Sequence, residues 1–343
     1  MPHLPLLPAL ALVAGTLPGG SGGTPFELAA GPPPSFAERI AAAEVAADPS
    51  LLGYSGALRA VVVNSGDPVT LPLRWSGAAP GPVSYRWTPT HGTRTGDGLL
   101  GEPASFPLDP SGSMLTPAQG GIWRLGFSAG VWERDLSDLA VITRVGFEQK
   151  RGGFLNGYHI GRYPTEGEGR IDVYAPPRGF IEVTPANQDL QISEHFRLRN
   201  FLTKNQFSVW PKYVALDLRL IDKLELVLQE LRAMGIQADA MAVMSGFRTP
   251  QYNGPGEGGR ARLSRHMYGD ASDVWVDNDG DGYIDDLNGD GRRDTDDARI
   301  MLRAVDRVER RYPQLVGGCG VYDSNSAHGP FVHIDVRGTY SRW

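Results

Sequence analysis

Cysteine is nearly missing from this sequence. A single residue, Cys319, stands among 343, so neither an intrachain disulfide nor a cysteine zinc cluster can form. Preceded by Gly317 and Gly318, it reads as a turn into a buried strand rather than as a nucleophile. Lysine- or arginine-rich blocks are missing too, and the net charge is a modest −6. Nucleic acid, which is held largely by clustered cations, is therefore not the expected partner. Beyond residue 17 no segment is apolar for long enough to cross a bilayer, so no transmembrane segment is expected.

Glycine (44) and proline (27) are plentiful, which favours strands joined by turns over long helices. With 41% hydrophobic residues the chain can build a large core, and its length fits two or three domains. Residues 1–22 contain a short apolar run followed by small residues and read as a secretory signal peptide. Such a leader implies export to the periplasm or the exterior. Residues 23–54, rich in Gly, Pro and Ala with one short helical pattern over 35–47, read as a linker.

Residues 55–147 have the pattern of an all-β, sandwich-like domain. Strand-like runs cover 58–63, 69–75, 83–87 and 121–127. In the second run Val69, Leu71, Leu73 and Trp75 share one face. Trp75, Trp87 and Trp123 fit a sandwich core better than a carbohydrate platform. Residues 148–195 continue as a connecting β segment whose aromatic stretches, 157–164 and 174–180, are expected to brace the C-terminal domain. Over 217–234 the residues Leu220, Leu224, Val227, Leu228, Leu231 and Met234 recur at helical spacing, with Gly235 as the stop.

The chemistry lies in three later segments of the region 196–343. Ser245-Gly246-Phe247-Arg248-Thr249-Pro250-Gln251-Tyr252-Asn253 follows an apolar run. Ser264-Arg265-His266-Met267-Tyr268-Gly269-Asp270-Ala271-Ser272-Asp273 leads into another. His328-Gly329-Pro330-Phe331-Val332-His333-Ile334-Asp335-Val336 contains a third. A hydrolytic zinc takes three protein ligands and keeps one position open. His266 and Asp273, seven apart across a glycine-bearing turn, can point at one ion. His333 and Asp335 share a strand face, because side chains two apart point the same way. An acid and a histidine on one face of an apolar strand are costly unless they have work to do. His91, His159 and His195 read as structural or surface histidines.

Residues 264–273 match the pattern Ser-x-His-x-x-Gly-x-Ala-x-Asp in full. This resembles the family of zinc D-Ala-D-Ala carboxypeptidases and murein endopeptidases, related to lysostaphin-type enzymes and the hedgehog zinc domain. Ser-Gly-Phe-Arg-Thr-Pro-x-Tyr-Asn upstream and Phe-Val-His-Ile-Asp downstream resemble that family's motifs in the same order. The resemblance covers about residues 190–343. It implies an α+β zinc peptidase domain with a central antiparallel sheet, acting on peptidoglycan peptides. It implies His266, Asp273 and His333 as zinc ligands, Arg248 as the stabiliser of the developing oxyanion, and Ser264 and Tyr252 at the substrate. Several relatives place an acid three residues before the last ligand; Pro330 stands there here. Asp335 and His328 are the two candidates for general base, and Asp335 is equally suited to orienting a ligand.

An acidic insert, residues 277–297, begins four residues after Asp273. Asp277, Asp279 and Asp281 precede Gly282, and Asp286, Asn288 and Asp290 precede Gly291, each the start of a calcium-loop pattern. Asp294 and Asp297 stand at positions nine and twelve of the second loop. A structural calcium is expected. Two other function classes stay open: a zinc-containing cell-wall binding protein without catalysis, and a calcium-dependent adhesion or assembly module.

Overall fold

The computed structural model describes residues 59–70, 82–90, 93, 105–109, 113–135, 139–254 and 260–343, together with the short strands Phe26–Leu28 and Leu73–Trp75. The leader expected over 1–22 and the rest of the 23–54 linker lie outside these residues. The fold is mixed and sheet-rich, with few helices.

An eight-stranded sheet forms the N-terminal half. Its members include β1 (Arg59–Asn64), β2 (Ser84–Thr90), β3 (Gly121–Ala129), β4 (Leu139–Gly146), β5 (Gly179–Val183) and β6 (Lys212–Val214). The path runs β6-β5-β4-β3-β2 to an edge strand at Ser105–Pro107, with β1 parallel to β4 and Trp132–Asp135 on β3. Strands on both sides of residues 147 and 195 thus belong to one sheet. The run 69–75 is divided: Pro68–Thr70 pairs with Ser113–Leu115, while Leu73–Trp75 pairs with Phe26–Leu28.

Alternation along β1 shows why the sheet has two buried faces. Ala60 and Val62 face the main core; Val61 and Val63 face a second, smaller one with Val69, Met114, Trp87 and Trp123. The two indoles are buried, with Trp87 Nε1 donating to the Leu115 carbonyl and Trp123 Nε1 to Thr143 Oγ1. They are core residues, not a carbohydrate platform.

The C-terminal half begins with α1 (Leu218–Ala233). Asp217 caps it by accepting from the Arg219 N–H, its leucine stripe is buried, and Gly235 ends it at φ +81°. Then come β7 (Met241–Ser245), β8 (Ala271–Val276), α2 (Thr295–Arg311), β9 (Gly318–Tyr322) and β10 (Phe331–Asp335). The sheet order is β7-β8-β10-β9, antiparallel throughout, with a short parallel edge at Ser341–Arg342. On β8 and β10 the residues Val274, Val276, Val332 and Ile334 join the main core, which α1 and α2 also line. The two-residue period places Asp273, His333 and Asp335 on the opposite face. Cys319 lies fully buried in β9, where burial pushes its thiol up to about 12. Among the described residues no helix is long and apolar enough to cross a membrane.

Candidate metal centre

Register builds the site. Ser245 on β7 pairs with Asp273 on β8, Asp273 with His333 on β10, and His333 with Gly320 on β9. Residues directly opposite one another share a face, so this row of four crosses the sheet. At its end the missing side chain of Gly320 admits the Trp343 indole: a Cβ there would come within 2.3 Å of Nε1. The Trp343 ring stands 5.4 Å from that of His333.

His266 arrives from outside the sheet on a single 3-10 turn, Arg265–Tyr268, that ends in the left-handed Gly269. Gly269 is needed twice, for φ +77° and because a Cβ would meet the Ala215 carbonyl oxygen at 2.3 Å. The turn is braced from behind. Arg265 pairs with Asp270 and lies over the rings of Tyr174 and Tyr268. Tyr163 packs on Tyr268, and Phe180 on Phe247. The aromatic stretches of 157–164 and 174–180 therefore hold the segments that carry the site.

The ring contacts fix which nitrogens carry protons. His266 Nδ1 lies 2.7 Å from the Gly246 carbonyl oxygen, which can only accept, so Nδ1 is protonated and Nε2 is bare. His333 Nε2 lies 3.2 Å from Asp335 Oδ2, so in the neutral ring the proton sits on Nε2 and Nδ1 is bare. The two bare nitrogens and Asp273 Oδ1 form a triangle with edges of 2.9, 3.1 and 3.2 Å. The cluster's members are only 2%, 4% and 7% exposed, and the three atoms lie close enough together to hold a metal ion. Zinc bonded at about 2.0–2.1 Å in a tetrahedron separates its ligand atoms by about 3.3 Å. The donor set and its spacing fit that ion.

Burial pushes His266 below the usual imidazole value and keeps it neutral. Burial also opposes charge on His333, but the flanking Asp273 and Asp335 carboxylates outweigh it and raise its pKa. Asp273 is desolvated, yet the two imidazoles hold its carboxyl well below the usual range.

Arg248 reaches the other oxygen of Asp273 through Nη2, while its Nε donates to Ser245 Oγ at 2.8 Å. Its side chain keeps 15% exposure, so the cation stands beside the triangle and within reach of solvent. Asp335 lies on the far side of the His333 ring from the triangle. Its carboxylate also accepts from the Gly318 N–H at 2.7 Å and from the Arg337 guanidinium. His328 is half-buried before β10, with its ring against Phe331 and Nε2 2.7 Å from the Asn325 amide. Ser264 is buried at the head of the 3-10 turn. Tyr252 sits in the one-turn helix Pro250–Asn253 under the Arg260 guanidinium.

In the acidic insert, Asp277 and Asp279 converge with Asp285, each offering an oxygen within 4.8 Å of the others. Asp281 pairs with Arg293. Asp286, Asp290, Asp294 and Asp297 do not converge in that way. Asp285 was not among the sequence-derived ligands, although position nine of the first loop is its signal. Gly246, Gly318 and Arg337 were also missed: a backbone carbonyl and an N–H leave no trace in sequence, and Arg337 is legible only as a cation two residues after Asp335.

No protein-family model and no curated protein matches the chain.

Proposed function

We propose that the chain is an exported zinc peptidase that hydrolyses amide bonds in peptidoglycan peptides, as a D,D-carboxypeptidase or a murein endopeptidase. The single observation that carries the metal is the triangle of bare donor atoms on His266, Asp273 and His333. The substrate class is supported by the three ordered motifs around those residues, and export by the leader-like residues 1–22.

When bound, zinc supplies a Lewis acid for a carbonyl oxygen and acidifies a water molecule. The chain's own residues do the rest. His266, Asp273 and His333 hold the ion. Asp335 fixes the His333 ring and its tautomer, which makes it a positioning residue. Arg248, anchored by Ser245 and Asp273, presents a fixed positive charge to the oxyanion that develops as water adds to the carbonyl carbon. The C–N bond then breaks and the departing amine takes the proton that the attacking water gave up. Of the two expected proton acceptors, Asp335 is engaged behind the ring, and His328 is engaged as well, with Nδ1 2.8 Å from the Gly329 carbonyl oxygen and Nε2 2.7 Å from the Asn325 amide.

The occupied carboxylate of Asp335, together with Pro330, also favours a second reading: a zinc-containing cell-wall binding protein without catalysis. Incubation of purified peptidoglycan with the zinc-loaded protein, followed by chromatography of the products, separates the two. New muropeptides from wild type and none from His266→Ala support the peptidase. Retention on peptidoglycan without products supports the binding protein.

A further inference from the structure

The insert at 277–297 contains one oxygen cage that its own hydrogen bonds leave incomplete. We infer that the Asp277–Asp279–Asp285 cluster is a calcium site, and that it clamps the end of the strand carrying Asp273.

The decisive atom is Asp277 Oδ1. Its residue is 9% exposed, and this oxygen is buried without a hydrogen-bond partner. The other oxygen, Oδ2, accepts from the Gly282 N–H at 3.2 Å. A buried carboxylate oxygen left unpaired is costly, and here it stands among like charges: Asp277, Asp279 and Asp285 offer oxygens within 4.8 Å of one another. Arg293 partly compensates from outside, on Asp281 at 2.5 Å and on Asp279 at 3.4 Å. Its ion pairs do not include Asp277. A small divalent cation satisfies all three.

All the donors are oxygens, and they fall at positions one, three and nine of a loop whose sixth residue, Gly282, is left-handed at φ +87°. That is the donor type and spacing that calcium takes. Backbone N–H groups bind carboxylates in both loops, but in the second no buried carboxylate oxygen lacks a partner and the acids do not converge. Asp286 accepts from the N–H groups of Gly289, Asp290 and Gly291. Asp297 is fully buried and accepts from Leu287, Asn288 and Asp294, closing the capping box of α2. It serves helix initiation instead of a cation.

The position of the cage gives it a role. β8 ends at Val276, the residue before Asp277 and three after Asp273. The Asp285 N–H donates to the Val276 carbonyl at 3.0 Å, and the Asp277 N–H to that of Ala240 at 3.2 Å. An ion joining Asp277 to Asp285 therefore closes the loop across the end of the β7–β8 hairpin.

Calorimetric titration of calcium into the full-length, zinc-loaded protein tests this without reference to peptidase activity. Wild type is expected to take one calcium per chain. Asp277→Asn and the exposed Asp279→Ala, which spares the buried position, are expected to weaken binding roughly tenfold or more, and Asp290→Ala to leave it unchanged. Melting temperature should rise by roughly 5–8 °C at a hundredfold excess over the wild-type Kd, and by about half as much or less in Asp279→Ala at the same concentration. Absence of calcium binding at millimolar concentration overturns the inference. So does binding that survives both first-loop substitutions, or that is lost in Asp290→Ala. Zinc content, measured on the same samples, reports separately on His266, Asp273 and His333.

Discussion

Asp273 and His333 are direct register partners across β8 and β10, and their Oδ1 and Nδ1 atoms stand 2.9 Å apart. Strand pairing thus places two of the three donors before any metal arrives. The third, His266, is delivered by a short turn whose geometry depends on Gly269.

Asp335→Asn should loosen the His333 ring without removing a donor atom from the triangle. Loss of such an orienting carboxylate typically costs about 10–100-fold in metal affinity. Competition with a chromogenic chelator measures it, with circular dichroism as a check that the fold persists.

Arg248→Ala should retain zinc and lose turnover. Removing one fixed donor to a developing oxyanion costs about 10²–10³ in kcat. Zinc content near wild type with a comparable fall in muropeptide release is the expected pair of results. Loss of zinc instead would assign Arg248 to holding Asp273.

Lys223→Met should be among the most destabilising changes in the chain. Its ammonium is fully buried between Glu309 Oε1 and the Asp335 carbonyl, each at 2.6 Å. Breaking a buried pair costs about 3–5 kcal/mol. Arg342 still reaches Glu309 Oε2 at 2.5 Å, which argues for the lower end. Urea denaturation measures the loss, and adding Glu309→Gln should recover part of it.

His195 gives stability a pH dependence. Its Nδ1 lies 2.5 Å from Glu225 Oε2, and that hydrogen bond, partly opposed by burial, raises its pKa above the ordinary 6.5. A raised folded-state pKa means the folded chain binds the proton more tightly. The contribution is therefore complete below pH 6.5 and is lost as pH rises through the folded value. Urea midpoints measured from about pH 6 to 9 should show this decline in wild type, and His195→Gln should flatten it.

The sequence made the three donors legible because the strands that carry them alternate and the 264–273 pattern is continuous. Helix α1 was legible for a similar local reason, a leucine stripe with an aspartate before it and a glycine after it. What joins distant segments was not. Nothing local announces that residues 179–183 and 212–214 extend the N-terminal sheet, since strand partners are chosen by tertiary packing. The second calcium-like loop illustrates the opposite difficulty. Its spacing matches the first, but Asp297 is drawn into capping α2, a competition that only the folded chain reveals.

The central claim is most directly tested by metal analysis of purified wild type and His266→Ala, paired with digestion of purified peptidoglycan by both. One zinc per chain and new muropeptides from wild type, with zinc and products both lost in the variant, is the predicted result. Wild-type protein without zinc would contradict the site, and zinc without products from any muropeptide would contradict the peptidase.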